Sequence, residues 1–317
     1  MIFDEKYLII FLVAFVGTYL ATYIIIRISF SRGLVGRDVH KNWISYASSI
    51  GGSSLLVGSV TPLIISTRPE AIVVALSSLI ALIIGLIDDL KRLPAIPKVL
   101  LSILPGAPVI ILGSYNPHPY IPFVGEARLI ISYPLIILIG YAVALNAVNM
   151  SDTHNGLAAG VALIFLSSIL PITEGINRVI ILSMIASIAS FLIYNTYPAK
   201  TFLGNSGSFV LGSWIASVAF INHIEYLVIL SLFPLVINGY SIITSVKGLK
   251  ERGEIKIRPV RVVNGFIHGN KDPRAPVTLA NVASQKRPIR ETEFVISVYI
   301  LILLSSIISI VLFYKPL

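Results

Sequence analysis

Long apolar runs alternate with short polar breaks along most of the 317 residues. A helix needs about 20 mainly apolar residues to cross the hydrocarbon of a bilayer. Runs approaching or reaching that length recur at roughly 7–30, 49–67, 70–87, 98–113, 129–148, 156–172, 177–195, 206–222, 225–246 and 293–314. The pattern predicts an all-α polytopic membrane protein with about ten transmembrane helices. It forms one membrane-embedded domain over 1–317, and the segment 247–292 is the only break long enough to build a lobe. The run at 98–113 is short and carries Pro105 and Pro108. The excursion 114–128 is rich in turn residues and reads as a hairpin.

Composition agrees. Only 12% of residues are charged and 56% are hydrophobic, against about 25% charged in soluble domains. The N-terminus has acidic residues and no basic run before its first apolar stretch, so that stretch is expected to be retained as a span. Without cysteine, disulfides, zinc-thiolate sites and cysteine nucleophiles are excluded.

The net charge of +9 resembles a nucleic-acid signal until the charges are placed on the ten-span topology. Of the 24 Lys and Arg residues, 19 then fall on one side and 5 on the other. Basic loops stay in the cytoplasm. This predicts a multi-pass protein of the cell membrane, with catalytic loops in the cytoplasm and both termini outside. The charge is topological and implies no nucleic-acid partner.

Chemistry collects on the basic side. The third run ends in Asp88-Asp89, followed by Lys91, Arg92 and Lys98. Two adjacent carboxylates at a membrane boundary repel and lose solvation, so they call for a cation. The pair is either a helix end neutralised by Lys91 and Arg92, or a magnesium or substrate-phosphate site with Lys98 as phosphate ligand. The fifth run enters Asn146-Ala-Val-Asn149-Met-Ser-Asp152-Thr-His154-Asn155-Gly156. Asn146 and Asn149 share a helix face, which Asp152 extends if the helix persists. Asn155-Gly156 also reads as a turn pair, and His154 as a loop residue. The segment Gly204-Asn205-Ser206-Gly207-Ser208 is either a helix cap or a cradle of backbone N–H groups for a phosphate. In 247–292, Arg258 and Arg261 belong to a loop drawn to anionic lipid, or clamp a pyrophosphate. Asp38 and Lys41 read, on chemistry alone, as a surface pair.

Taken in order, these segments resemble the polyprenyl-phosphate N-acetylhexosamine-1-phosphate transferase family, of the glycosyltransferase family 4 type. The resemblance covers about residues 30 to 292 and is nearest the archaeal dolichyl-phosphate GlcNAc-1-phosphate transferases. It implies Mg²⁺-dependent transfer of a sugar-1-phosphate from a UDP-sugar to a polyprenyl or dolichyl phosphate, with release of UMP. Mn²⁺ is an alternative cofactor, GlcNAc the default sugar, and a homodimer is left open. On this resemblance Asp88 is the base toward the lipid phosphate, Asp89 its partner near acceptor or metal, and Lys98 a phosphate ligand. Asn149, Asn205 and Asp152 are the metal ligands. Asp38, Lys41, Asn146, Asn155, Arg258 and Arg261 are substrate-binding positions. Many members carry Asp where this chain has Asn205, so Asp152 or the substrate pyrophosphate is expected to supply the missing charge. The histidine triplet of the bacterial translocases is absent, which argues against a peptidoglycan precursor.

The alternative class is a secondary transporter for an anionic or cation-coupled substrate. It is disfavoured because no internal duplication is visible and the acids lie at helix ends, away from the midplane. A lipid-binding scaffold would need neither the paired carboxylates nor the paired asparagines.

Overall fold

The computed structural model describes residues 5–38, 45–121, 123–250 and 253–313. Helix α1 (Glu5–Ser31) leads into the hairpin β1 (Val35–Arg37) and β2 (Tyr46–Ser48), then a mixed helix α2 (Gly51–Ile64). Next come α3 (Pro69–Lys91), the broken helix α4 (Ala95–Ile111), and a second hairpin, β3 (Tyr120–Ile121) and β4 (Gly125–Glu126). Helices α5 (Tyr133–Ser151), α6 (Leu157–Ile172), α7 (Gly175–Asn195) and α8 (Gly204–Ile221) follow. Helices α9 (Glu225–Ser231) and α10 (Phe233–Ser245) meet at a bend of 69°. The chain closes with β5 (Val260–Val263), β6 (Phe266–Gly269), α11 (Leu279–Ser284), β7 (Ile289–Arg290) and α12 (Glu291–Phe313).

Six of these helices (α1, α3, α5, α7, α8 and α12) are long and apolar enough to cross a membrane, and the bent pair α9–α10 would make a seventh. Helices α2, α4 and α6 are apolar but shorter than a straight crossing. The reasons lie in the sequence. Pro105 sits in a 3₁₀ turn over Leu104–Gly106 that interrupts α4. Gly51 and Gly52 open α2 as a 3₁₀ turn, and Pro62 ends it in another. Proline removes a backbone donor, and glycine gains most from irregular backbone, so these runs cannot stay straight.

The expected all-α fold also carries three small antiparallel sheets. The excursion 114–128 contains the hairpin its turn residues implied. The largest sheet, β5–β6–β7, lies within 247–292. Its first turn places Asn264 at φ 50° and Gly265 at φ 77°, the left-handed pair that a tight hairpin requires.

Helix α8 is the axis of the bundle. Every residue from Ser206 to Ile221 is buried. Lipid tails are as apolar as leucine, so such helices associate through close packing and hydrogen bonds between them. Both are present. A Cβ at Gly85 of α3 would lie 2.5 Å from Ser206 Cα, and one at Gly212 would lie 2.5 Å from Leu145 Cα of α5. Trp214 Nε1 donates to Ser59 Oγ at 2.6 Å, and the hydroxyls of Tyr141 and Ser217 meet at 2.7 Å. Backbones this near fix the register of α3 and α5 against α8.

Candidate active site

The crossing at Gly85 determines where the acidic pair goes. Asp89 lies four residues on, on the same face of α3, and so reaches the N-terminus of α8. Its Oδ1 accepts the Asn205 N–H at 2.8 Å and its Oδ2 the Ser206 N–H at 2.9 Å. These are orphan donors of a helix start, capped here by a carboxylate from another helix. Gly204 permits the approach. It holds φ at +69°, and a Cβ there would fall 3.0 Å from Asp89 Oδ2.

Asp88 turns the other way. Helix α3 ends as Arg92 enters the left-handed region at φ 52°, donating its N–H to Asp88 O. The chain reverses, Pro94 opens α4, and Lys98 returns over the end of α3. Lys98 Nζ lies 2.7 Å from Asp88 Oδ2, and Leu93 N donates to Asp88 Oδ1 at 2.7 Å. Asp88 is 3% exposed and Lys98 9%. Burying either charge alone would be costly, and the pair offsets it.

The amides complete the cluster. Asn205 Oδ1 accepts from Asn149 Nδ2 at 2.6 Å and from Lys98 Nζ at 3.4 Å. Asn146, one turn back on α5, is held by Ser102 Oγ at 2.8 Å and by Ala142 O at 2.7 Å. Thus α3, α4, α5 and α8 bring Asp88, Asp89, Lys98, Asn149 and Asn205 into one connected polar network.

Other expectations change. Helix α5 ends at Ser151, and Asp152 is its C-cap at ψ 71°, so Asp152 does not continue the asparagine face. The N–H groups of Asn205 and Ser206, read from the sequence as either a helix cap or a phosphate cradle, are capped by Asp89. Asp38 is no surface residue. It is 2% exposed and its Oδ2 accepts from Asn155 Nδ2 at 2.9 Å. Lys41 lies outside the described residues.

Arg258 and Arg261 are exposed, and Arg261 pairs across the sheet with His268. Among the described residues no hydrogen bond or ion pair joins either arginine to the Asp88 network. Nearby, the Arg274 guanidinium hydrogen-bonded to Asp272 holds that carboxyl down at about 2.

Sequence reasoning missed two residues. Ser102 was hidden among small polar residues of an apolar run. Glu291 is a carboxylate at the head of an apolar run, the signal that flagged Asp88. It is 4% exposed and its Oε1 accepts the Asn155 N–H at 2.7 Å.

Among the described residues no three His, Cys, Asp or Glu side chains are grouped to hold a metal. The network nevertheless offers a hard-oxygen donor set. Asp88 Oδ2 and Asn205 Oδ1 both face the Lys98 ammonium, so this position already suits a cation. Carboxylate and amide oxygens are what Mg²⁺ takes.

Fold and site together define a helical membrane protein with a buried, paired acid-base network at one end of its bundle. The sequence matches glycosyl transferase family 4 over residues 71–223, from α3 to the end of α8, the stretch that holds all five residues of this network. A relative in Saccharolobus solfataricus, named as a UDP-N-acetylglucosamine–dolichyl-phosphate N-acetylglucosaminephosphotransferase, is 32% identical over 65% of this chain and 68% of its own. One of the same name in Sulfolobus acidocaldarius is 27% identical over 95% of this chain and 94% of its own. A Clostridium botulinum phospho-N-acetylmuramoyl-pentapeptide-transferase is 32% identical over 67% of this chain and 72% of its own. The chain belongs to glycosyl transferase family 4, and it is a transferase.

Proposed function

We propose that this protein transfers an N-acetylhexosamine-1-phosphate, GlcNAc-1-phosphate by default, from a UDP-sugar to a polyprenyl or dolichyl phosphate. UMP is released, and the product begins lipid-linked glycan assembly. The observation that carries the reading is the buried Asp88–Lys98 pair tied to Asn205 and Asn149. The activities named for the relatives support the substrates.

Both substrates are anionic, so their approach must be offset by positive charge. In the proposed reaction Lys98 shifts from Asp88 onto a substrate phosphate. Asp88, relieved of its partner, holds the acceptor phosphate proton. An acceptor phosphate oxygen then attacks the sugar-linked phosphorus. The new P–O bond forms as the bond to the UMP phosphate breaks, and the electron pair leaves with UMP. Such transfers depend mainly on positioning and electrostatics. Asp89 keeps α8 in register so that Asn205 stays beside Lys98. Asp88 and Asn205, with Asn149 beside them, would hold Mg²⁺, with Mn²⁺ as substitute, and the ion would neutralise pyrophosphate charge when bound; Asp152, expected as a ligand, stands off the asparagine face. Asn146 and Asn155 lie on the nucleotide side, and Arg258 and Arg261 meet the pyrophosphate or sugar.

In this reading the ten apolar segments all cross or enter the membrane, the Asp88 end of the bundle is cytoplasmic, and the protein sits in the cell membrane. The test is radiolabelled UDP-GlcNAc with the purified protein and dolichyl phosphate, with and without EDTA. A labelled lipid that disappears with EDTA is expected. A donor panel scored by UMP release names the sugar, and no UMP from any UDP-N-acetylhexosamine would overturn the proposal.

A further inference from the structure

Helix α12 makes three successive contacts with the turn that follows α5. Glu291 Oε1 accepts the Asn155 N–H at 2.7 Å. The Phe294 ring lies 4.6 Å, centroid to centroid, from the His154 imidazole. The Tyr299 hydroxyl donates to Gly156 O at 2.7 Å. Residues 291, 294 and 299 thus bind positions 155, 154 and 156. Asn155 in turn donates its side-chain amide to Asp38 Oδ2. All of Asp38, His154, Asn155 and Glu291 are more than nine-tenths buried. The fit allows little slack, since a Cβ at Gly160, one turn into α6, would fall 2.6 Å from Tyr299 Cε1. Gly156 itself stands at φ 78°, a conformation that glycine reaches without strain and that lets the chain turn from one helix into the next.

The other end of this contact is the sheet. Glu291 directly follows β7, whose Ile289 and Arg290 pair with Ile267 and Phe266 of β6. Strand β6 pairs in turn with β5, where Arg261 stands. One covalent step therefore joins the sheet to the residue that holds the turn.

We propose that Glu291 is a positioning residue for donor binding: it fixes the 152–156 turn through the Asn155 main-chain N–H and couples that turn to the β5–β7 sheet. Glu291 touches no substrate in this scheme. It sets where Asn155 and Asp152 stand and keeps Arg261 in register with them. The donor's part in this scheme rests on the transferase reading; the clamp rests on geometry alone.

Two measurements separate those layers. The first is hydrogen–deuterium exchange of the purified protein in detergent, read over residues 153–157. Glu291→Ala is expected to raise exchange there, while Glu291→Gln, whose amide oxygen still accepts the N–H, stays near wild type. Unchanged exchange in Glu291→Ala overturns the clamp, whatever the activity. The second is steady-state transfer. Glu291→Ala is expected to raise KM for the UDP-sugar about tenfold, the scale of one lost hydrogen bond to a charged group. KM for the lipid phosphate should hold, and Glu291→Gln should restore donor KM. Equal loss toward both substrates, or no change toward either, overturns the positioning role. A wild-type protein inactive with every donor would sink the transferase reading and leave the exchange result to decide the clamp.

Discussion

Lys98 Nζ stands 2.7 Å from Asp88 Oδ2, and the two residues come from successive helices joined by a left-handed reversal at Arg92. Their charges are buried together. An ion pair so placed gives up solvation on both sides and is a poor way to gain stability. In the proposed reaction it is a stored pair of groups, kept together until substrate separates them.

Asp88→Asn keeps the shape of the site and one acceptor for the Leu93 N–H. The variant is expected to fold, with a melting temperature within a few degrees of wild type. Transfer should fall by about 10²-fold or more, the usual scale for losing a proton-handling group. Purified Asp88→Asn that turns over like wild type would remove Asp88 from the chemistry.

Asp89 behaves differently despite being its neighbour. Both of its oxygens cap α8, so its first duty is to the fold. Asp89→Ala is expected to lower stability by about 1–2 kcal/mol, as other lost caps do, and Asp89→Asn by less. Thermal melting in detergent checks this. If Asp89→Ala melts like wild type but is inactive, the cap is incidental and Asp89 belongs with the reacting groups.

The contrast between the two carboxylates explains what could be read in advance. The bundle was legible because lipid demands apolar runs of fixed length, and residues such as Ile, Leu and Val declare them. Asp88, Asp89, Asn146 and Asn149 were legible because polar groups at that depth are expensive and need a reason. Their division of labour was not. Which carboxylate meets Lys98 and which meets α8 depends on the crossing at Gly85, and a single glycine does not state what it crosses. The hiding of Asp38 against Asn155 is a contact across more than a hundred residues, with no local pattern to reveal it. The shortening of α4 was foreshadowed by Pro105. The run at 156–172 was itself too short for a straight crossing, and α6 follows it closely.

Gly85→Ala tests the crossing directly. The added methyl meets backbone atoms of Asn205 and Ser206 that cannot swing aside. Overpacking of this kind costs about 1–3 kcal/mol, and the displacement would pull Asp89 off its N–H partners. A lower melting temperature and weaker transfer are expected together. Full activity would mean that α3 and α8 part more easily than their packing implies.

Asn205→Asp tests the charge of the network. A carboxylate in place of the amide adds a negative group beside Asn149 and Lys98, and hard divalent cations prefer carboxylate oxygen. The Mg²⁺ concentration for half-maximal transfer is expected to fall several-fold. A metal titration at fixed substrates reads this out, and an unchanged or higher Mg²⁺ requirement would place the ion away from residue 205.

Sidedness can be tested cleanly because the chain has no cysteine of its own. Lys256 and Lys271 lie exposed in the segment that holds the β5–β7 sheet, and Val124 and Glu126 lie exposed in the β3–β4 hairpin. Single cysteines at 256 or 271 should resist an impermeant maleimide in intact cells and react after permeabilisation. Cysteines at 124 or 126 should react in both. The basic residues dictate this assignment: 19 of 24 share a side with Asp88 when ten segments cross, and moving so many cations over a bilayer is prohibitive. Labelling of position 256 in sealed cells would put the acidic network outside, where cytosolic nucleotide sugars never come. The transferase would then lose its donor even with the bundle unchanged.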